Sequence, residues 1–274
     1  MAKIRLDQLL FSRGLATSRT AAQALVMEGK VRVDGRVETK AGRAVAEDVP
    51  LEVEAPPRFV SRGGEKLEGA FAKFSGWTVD GLVCLDVGSS TGGFTDCMLQ
   101  HGAARVMAVD VGTNQLAYKL RVDPRVWVRE NFNARNMTIA DLPERPARAV
   151  TDVSFISLKL ILPPMAEVLC PGGEIVSLIK PQFEAGRGNA PGGVVNDPEV
   201  RRRVVEDISA FGTQTLGLEL LGVEESPIRG REKGNIEYLA WWRKPAENAI
   251  IPPPEVTGER TSREELEKVK ELSK

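Results

Sequence analysis

The chain has 274 residues, of which 42% are hydrophobic and 27% charged, and its formal net charge is −1. That length exceeds the usual single domain and leaves room for one large domain and one small one, each with a packed core. The neutral balance excludes a uniformly basic, nucleic-acid-coating chain, and no apolar stretch approaches the roughly 18 residues of a membrane-spanning helix.

Charge is nonetheless uneven. Residues 1–43 hold nine Lys/Arg against four acids, a local basic patch inside a neutral total. Ile4, Leu6, Leu9 and Leu10 keep helical spacing. Ala21, Ala22, Leu25 and Val26 do so again after Thr17-Ser18, an N-cap signal, and Gly29 ends that second helix. Lys30 to Val37 then alternates basic and apolar residues around Asp34-Gly35, which predicts a hairpin. The pattern Arg5-Leu6-Asp7, Arg13-Gly14, Ser18-Arg19 and Gly29 to Gly35 resembles the S-four RNA-binding domain over about residues 3–54. The resemblance implies structured RNA as partner, with Arg5, Arg19, Lys30, Arg32 and Lys40 as phosphate contacts. For any one of these residues a solvated charged face is the plainer reading.

Ala55-Pro56-Pro57-Arg58 makes a stiff joint. The expected organisation is a small domain over 1–56, a linker at 57–60, a larger domain over 61–244 and a tail over 245–274. Ser61-Arg62-Gly63-Gly64-Glu65-Lys66-Leu67 opens the larger domain and leads into an amphipathic helix through Ala70, Phe71 and Phe74.

The apolar run Leu82 to Asp86, followed by Val87-Gly88-Ser89-Ser90-Thr91-Gly92-Gly93-Phe94, reads as a buried parallel strand, a tight turn and a helix start. An ATP-binding loop would need a lysine where Phe94 stands. A dinucleotide-binding loop would need glycine where Ser90 stands, so that the backbone could approach a pyrophosphate. A nucleoside ligand without phosphates remains. Asp110 ends the next apolar run, where an acid hydrogen-bonds a ribose diol, and Val111 follows it. Asp86 would repel phosphate and suit a sulfonium and an amino group. S-adenosylmethionine is therefore the expected cofactor, held by Asp86, Gly88, Ser90, Thr91, Gly92, Gly93, Phe94, Asp110 and Val111. An ordinary glycine-rich turn is the alternative.

Strands are expected at Val106–Asp110, Val126–Arg129, Ala149–Asp152 and Glu174–Lys180, with helical stretches between them. Regular alternation predicts an α/β fold with a doubly wound, mostly parallel, Rossmann-like sheet, which binds ligands at the carboxyl ends of its strands. Asp86, Asp110, Asn131, Asn133, Asp152 and Lys180 fall there. The glycine-rich segment Gly186-Arg187-Gly188 to Gly193 reads as a mobile loop or lid. A helix near Glu199–Phe211 and strands at Leu218–Val223 and Ile236–Trp242 follow, the last two joined by a basic loop, Ser226 to Asn235. Pro252-Pro253-Pro254 is a spacer and Ser262-Arg263-Glu264-Glu265 a capping box for a charged, peripheral helix.

Cys84, Cys97 and Cys170 form an odd set without metal-ligand spacing, and His101 is the only histidine. Together with the missing signal-peptide core, this predicts a cytoplasmic protein with reduced thiols, no metal and no membrane association. His101 reads as a surface residue after a helix.

Polar residues on buried strands are costly unless paired, which singles out Asp152, Lys180 and Glu237, and Lys66 starts the helix that leads into the sheet. If they meet, the cluster suits methyl transfer to a ribose hydroxyl, a poor nucleophile until a cation or base draws off its proton. In that reading Lys180 contacts the hydroxyl, Asp152 orients Lys180 near the cofactor, and Lys66 and Glu237 position the ribose. Lys180 as base and Lys180 as charged stabiliser both remain open, and a satisfied ion-pair network without chemistry is the alternative.

The constellation resembles the Lys-Asp-Lys-Glu tetrad of the FtsJ-type ribose 2′-O-methyltransferases. The wider set of motifs, from Ser61–Leu67 and Ser90–Thr95 through Asn133-Ala134-Arg135, Asp152–Ser157 and Lys180–Glu184 to Gly234–Tyr238, is similar to the TlyA family over about residues 3–243. That family joins an S-four-like domain to an FtsJ-like domain and carries two labels, haemolysin and rRNA cytidine 2′-O-methyltransferase. The resemblance implies ribosomal RNA or ribosomal subunits as partner, Asn133 near the adenine, and Arg62 and Arg135 facing RNA. Two other classes compete: a membrane-active haemolysin, and an RNA-binding assembly factor with a silent transferase fold.

Overall fold

The computed structural model describes residues 3–55, 57–186, 188–230 and 233–246. The expected proline spacer, the capping box, Pro56 and Arg187 lie outside the described residues. The chain divides into two compact units between Arg58 and Phe59.

In the first unit, β1 (Lys3–Arg5) leads into α1 (Leu6–Ser12), and α2 (Arg19–Met27) follows. Ser18 caps α2 by accepting the Ala21 N–H at 3.0 Å. β2 (Val31–Val33) and β3 (Arg36–Glu38) form the expected hairpin, with Asp34 and Gly35 both in the left-handed region that a two-residue hairpin turn requires. β4 (Ala44–Ala46) pairs with β1, and β5 (Leu51–Val53) pairs with β2. Leu6, Leu10, Ala22, Val26 and Val31 are fully buried between helices and strands. Ile4, expected in the first helix, instead lies in β1 opposite Val45. β4 and β5 gave no signal because three-residue strands are too short to display a period.

Asp7 is fully buried and accepts from Arg5, Arg19 and Gln23. The Arg5 hydrogen bonds, helped by Gln23 and Arg19, overcome burial and hold this carboxyl far below the usual range. Two of the expected phosphate contacts thus spend part of their donor set on an internal carboxylate. A guanidinium has five N–H donors, and both side chains stay 47% exposed, so each keeps outward donors. Lys30 pairs with Glu28 at 2.6 Å, Arg32 donates to the Gly35 carbonyl at 3.3 Å, and Lys40 is exposed.

The second unit begins earlier than the expected linker end. Phe59 is buried and the Val60 N–H donates to Asp96 at 2.8 Å, so both belong to this unit's core. α3 (Gly63–Lys73) precedes β6 (Val83–Val87), α4 (Gly93–Gln100) and β7 (Arg105–Val109). Next come α5 (Tyr118–Arg121), β8 (Val126–Arg129), β9 (Arg148–Thr151), α6 (Leu162–Val168) and β10 (Glu174–Ile179). α7 (Pro181–Glu184), α8 (Pro198–Ala210), β11 (Glu219–Glu225) and β12 (Tyr238–Arg243) complete it. The strands form one sheet in the order β11-β12-β10-β9-β6-β7-β8. β6 to β10 run parallel, and β12 enters antiparallel between β10 and β11.

One core packs on each face, the first around Leu67, Met98, Trp77 and Trp241, the second around Leu85, Met107, Met165 and Trp242. The helix expected between β8 and β9 is absent. Two single 3-10 turns, Ala134–Asn136 and Ile139–Asp141, stand in its place, since Asn, Thr and Pro residues crowd that segment. The glycine-rich loop is also less free than expected: Asn235 donates to the Gly193 carbonyl at 2.9 Å, accepts from Val195 N–H at 3.1 Å, and Lys233 donates to the Gly192 carbonyl.

His101 is half-buried rather than superficial. Its ring stacks on Phe71 with centroids 3.7 Å apart, and Nε2 lies 2.8 Å from Glu68 Oε2. Cys97 closes that group, its Sγ 3.8 Å from Glu68 Oε2.

The N-termini of α3 and α4 cross backbone to backbone. A Cβ on Gly93 would lie 2.4 Å from Ser61 Oγ and 2.7 Å from the Gly64 nitrogen. Gly93→Ala is therefore expected to cost about 1–3 kcal/mol of overpacking, measured as a lowered urea midpoint; an unchanged midpoint contradicts this crossing.

Candidate active site

Strand register assembles the site. Thr151 of β9 pairs with Ser177 of β10, so Asp152 and Lys180 leave neighbouring strands at the same end of the sheet. Ile179 pairs with Tyr238 in antiparallel β12, which sets Glu237 level with Lys180. Lys66 arrives from the first turns of α3, the helix that the glycine crossing brings against the turn after β6.

The four side chains form one chain of alternating charge. Lys180 Nζ lies 2.6 Å from Asp152 Oδ1, Lys66 Nζ lies 3.2 Å from Asp152 Oδ2, and Lys66 Nζ lies 2.8 Å from Glu237 Oε2. Asp152 Oδ1 and Glu237 Oε2 each face one ammonium, and since a carboxylate oxygen has two lone-pair sites, both carboxylates can accept a further donor. Burial opposes the charge on Lys66, but Asp152 and Glu237 outweigh it and hold its ammonium above the usual lysine range. Lys66 is a fixed cation. Lys180 has a second partner, donating to Ser154 Oγ at 2.8 Å, and Gln182 donates to Glu237 at 3.3 Å.

The tetrad opens onto a cavity of about 720 Å³ that also borders Gly88, Ser90, Thr91, Gly93 and Phe94 of the turn. Arg62, Arg229 and Lys233 give its rim a positive sign. Gly88 has φ of +79°, and a Cβ there would sit 2.9 Å from Val153, so the turn needs glycine to pass beneath the segment after Asp152. Gly92 packs against Leu116 and Leu120 and is not part of the wall.

Asp86 lies under the turn, fully buried, with Oδ2 accepting from Thr95 at 2.6 Å and Oδ1 without a partner. Burial, opposed by the Thr95 hydrogen bond and assisted by the charge of Asp152, pushes its carboxyl up to about 7. Asp110 accepts from Ser90 N–H at 2.7 Å and Gly112 N–H at 2.6 Å. One lone pair of each oxygen is thereby used to shape its own loop, a role the sequence did not show. Val111 and Asn133 are exposed, with Asn133 capping the turn at Ala134–Asn136. Asp86, Asp110, Val111 and Asn133 lie outside the cavity wall, so the structure does not gather all the expected cofactor residues around one enclosed space.

Arg62 donates to the Arg229 carbonyl at 3.4 Å, and Arg135 is exposed. Phe155 escaped the sequence reading. It is 83% exposed, sits at φ +62° and packs on Phe183 with centroids 4.9 Å apart. An apolar ring held out to solvent in a left-handed conformation costs energy and suits contact with another flat surface. The available signal was an aromatic residue between two serines directly after a strand-end acid.

A site of this composition can draw a proton from a hydroxyl and stabilise the alkoxide that develops, and its turn matches a cationic nucleoside. The fit to S-adenosylmethionine rests on the buried, half-unpaired Asp86 carboxyl and on a turn without the lysine that phosphates need.

Sheet order, glycine turn and charge chain define a methyltransferase. The model of the FtsJ-like methyltransferase family matches residues 59–244, and that of the S4 domain matches residues 4–49. The chain belongs to the FtsJ-like methyltransferases and, within them, to the TlyA family. It is 45% identical over 251 residues to the 16S/23S rRNA (cytidine-2′-O)-methyltransferase TlyA of Mycobacterium tuberculosis, covering 90% of this chain and 92% of that one. It is 44% identical to Hemolysin A of Brachyspira hyodysenteriae over 86% of this chain and 98% of that one. Among solved structures, a candidate haemolysin of Streptococcus thermophilus is 43% identical, with a TM-score of 0.68 over 91% of this chain and 92% of that one.

Asp86 supplies a test of the site's electrostatics. Well below pH 4 its carboxyl is neutral in folded and unfolded chains alike. As pH rises toward 7 only the unfolded chain ionises freely, so this residue lowers folding stability by an amount on the order of 4 kcal/mol by pH 8. Asp86→Asn should gain stability relative to the unsubstituted protein between pH 5 and pH 8 in urea denaturation. A pH-independent difference contradicts the buried, uncompensated carboxyl.

Proposed function

We propose that this protein transfers the methyl group of S-adenosylmethionine to a ribose 2′-hydroxyl, of a cytidine in ribosomal RNA, in the cytoplasm. The observation that carries the reading is the alternating chain Lys180–Asp152–Lys66–Glu237 at the strand ends beside a glycine turn with Phe94 where a phosphate-binding lysine would stand. The mycobacterial relative, an rRNA (cytidine-2′-O)-methyltransferase, supports the substrate class.

The cofactor, when bound, supplies an activated methyl group carried on a sulfonium. Gly88, Ser90, Thr91, Gly93 and Phe94 would hold it, with Asp110 at its ribose, Val111 and Asn133 at its base, and Asp86 beneath its cationic end. A cation above Asp86 favours the ionised carboxylate that the free protein resists. Lys180, anchored by Asp152 and Ser154, meets the 2′-hydroxyl and lowers the cost of its losing a proton. Lys66, locked as a cation between two carboxylates, holds Asp152 and Glu237 in place, and their spare acceptor positions orient the ribose. With Lys66 and Lys180 both paired as cations to Asp152, Lys180 stabilises the developing alkoxide by its charge, and the proton leaving the hydroxyl passes to the Asp152 carboxylate or to solvent. Arg62 and Arg135, with the outward donors of Arg5, Arg19, Lys30, Arg32 and Lys40, contact RNA phosphates.

A second reading follows the haemolysin name of the Brachyspira relative; no helix among the described residues is long and apolar enough to cross a membrane. Dye release from liposomes by the purified protein would favour that reading.

With labelled cofactor and purified ribosomal subunits, Lys180→Ala should lower methyl incorporation by about 10²–10⁴-fold while cofactor titration stays unchanged. Full incorporation by that variant removes Lys180 from the mechanism. Asp110→Ala should do the reverse, weakening cofactor binding at unchanged RNA affinity. Arg62→Ala should reduce RNA affinity and flatten its salt dependence by about one phosphate contact; an unaltered salt slope removes Arg62 from the RNA interface.

A further inference from the structure

Asp152 to Ser157, the segment that carries Phe155, is fastened at three points to one short stretch of chain, Lys180 to Glu184. At its start, Asp152 pairs with Lys180 at 2.6 Å and Ser154 accepts from Lys180 at 2.8 Å. In its middle, Phe155 packs on Phe183, whose ring lies 5.8 Å from Lys180 Nζ. At its end stands Glu184, which no part of the proposed mechanism uses. Its Oε2 accepts from Ser157 Oγ at 2.6 Å and its Oε1 accepts from Leu158 N–H at 2.8 Å.

Glu184 is a costly residue at this place. Burial pushes its carboxyl above the usual glutamate range against both of those hydrogen bonds, with the charges of Lys159 and Asp207 nearby acting in opposite directions. A residue kept only for packing would not need the charge. What the carboxylate does is join the end of the loop to α7 with two hydrogen bonds, each oxygen taking one donor. The backbone between the two fastenings holds Phe155 at φ +62°, a conformation that a phenylalanine does not keep without outside constraint.

We infer that Glu184 is a positioning residue for the RNA substrate: its two hydrogen bonds to Ser157 and Leu158 hold the loop in the form that presents the Phe155 ring to a nucleobase beside the tetrad. Stacking of an unpaired base on an aromatic ring contributes about 1–3 kcal/mol and is a common way to fix a nucleotide removed from its helix. The inference rests on the methyltransfer reading above and adds to it the residue that sets the platform's position. A ring displaced by about 1 Å would misplace the ribose over Lys180 and slow transfer.

The test is a double-mutant cycle on full-length protein with ribosomal subunits as substrate. Glu184→Ala should lower kcat/KM for the subunits by about ten- to a hundred-fold with cofactor affinity unchanged. Glu184→Gln, whose amide can accept from Leu158 and donate to Ser157, should restore most of it. In a Phe155→Ala background the Glu184→Ala loss should disappear, because the platform it positions is gone. Ser157→Ala, a milder change that removes one of the two hydrogen bonds, should give a smaller loss in the same direction and guards against a Glu184 variant that fails to fold. Additive losses in the cycle, or a fall in cofactor affinity that parallels the fall in turnover, overturn the positioning role. Unsubstituted protein that transfers no methyl group overturns the functional reading instead, so the two failures are distinguishable.

Discussion

Two ammonium groups and two carboxylates occupy a space that would accept none of them singly. Moving one such ion out of water costs several kcal/mol even after relaxation, and attraction offsets that cost only where each charge faces its opposite. The order Lys180, Asp152, Lys66, Glu237 meets the condition with contacts of 2.6, 3.2 and 2.8 Å. Removing one member would leave a buried charge uncompensated, at about 3–5 kcal/mol for pairs of this kind. The quartet is therefore a constraint on the fold as well as a tool: four chain segments must end at one point.

Each segment meets the constraint by a different local device. Parallel pairing of β9 with β10 delivers Asp152 and Lys180 from adjacent strands. The antiparallel entry of β12 turns the last strand round so that its beginning, and hence Glu237, lies at the same end. Lys66 depends on small residues elsewhere, since α3 reaches the site only by laying its backbone against the start of α4 at Gly64 and Gly93. Lys66 and the turn after β6 are thus positioned by one contact. Beneath them Asp86 is a buried acid whose hydrogen-bond partner is the Thr95 hydroxyl rather than a cation, so burial raises its carboxyl to about 7.

Much of this was legible in the sequence, and the reasons it was or was not are physical. The sheet showed itself because buried parallel strands are continuous apolar runs, and Asp152, Lys180 and Glu237 stood out because each interrupts or ends an apolar run, whereas Lys66 was marked only by its place at the start of a helix. The hairpin at Asp34-Gly35 was visible through turn chemistry alone. Features that arise only from tertiary contact were not. Nothing local distinguishes Arg5 and Arg19, which pair with buried Asp7, from arginines facing solvent. Asp110 carries no mark of the two backbone N–H groups it accepts. Ile4 has helical spacing but lies in a strand because Val45, far along the chain, pairs with it. The left-handed backbone at Phe155 has no sequence signature at all, and its support from Glu184 becomes visible only when α7 is packed against the loop.

The central claim is that this quartet makes a ribose 2′-hydroxyl of ribosomal RNA reactive. Its most direct test is a position-by-position map of ribose methylation in ribosomal RNA from cells lacking this gene, supplied with either the unsubstituted protein or Lys66→Gln. The account predicts that 2′-O-methylcytidine appears at one or more positions only with the unsubstituted protein. The same map in both strains would contradict it.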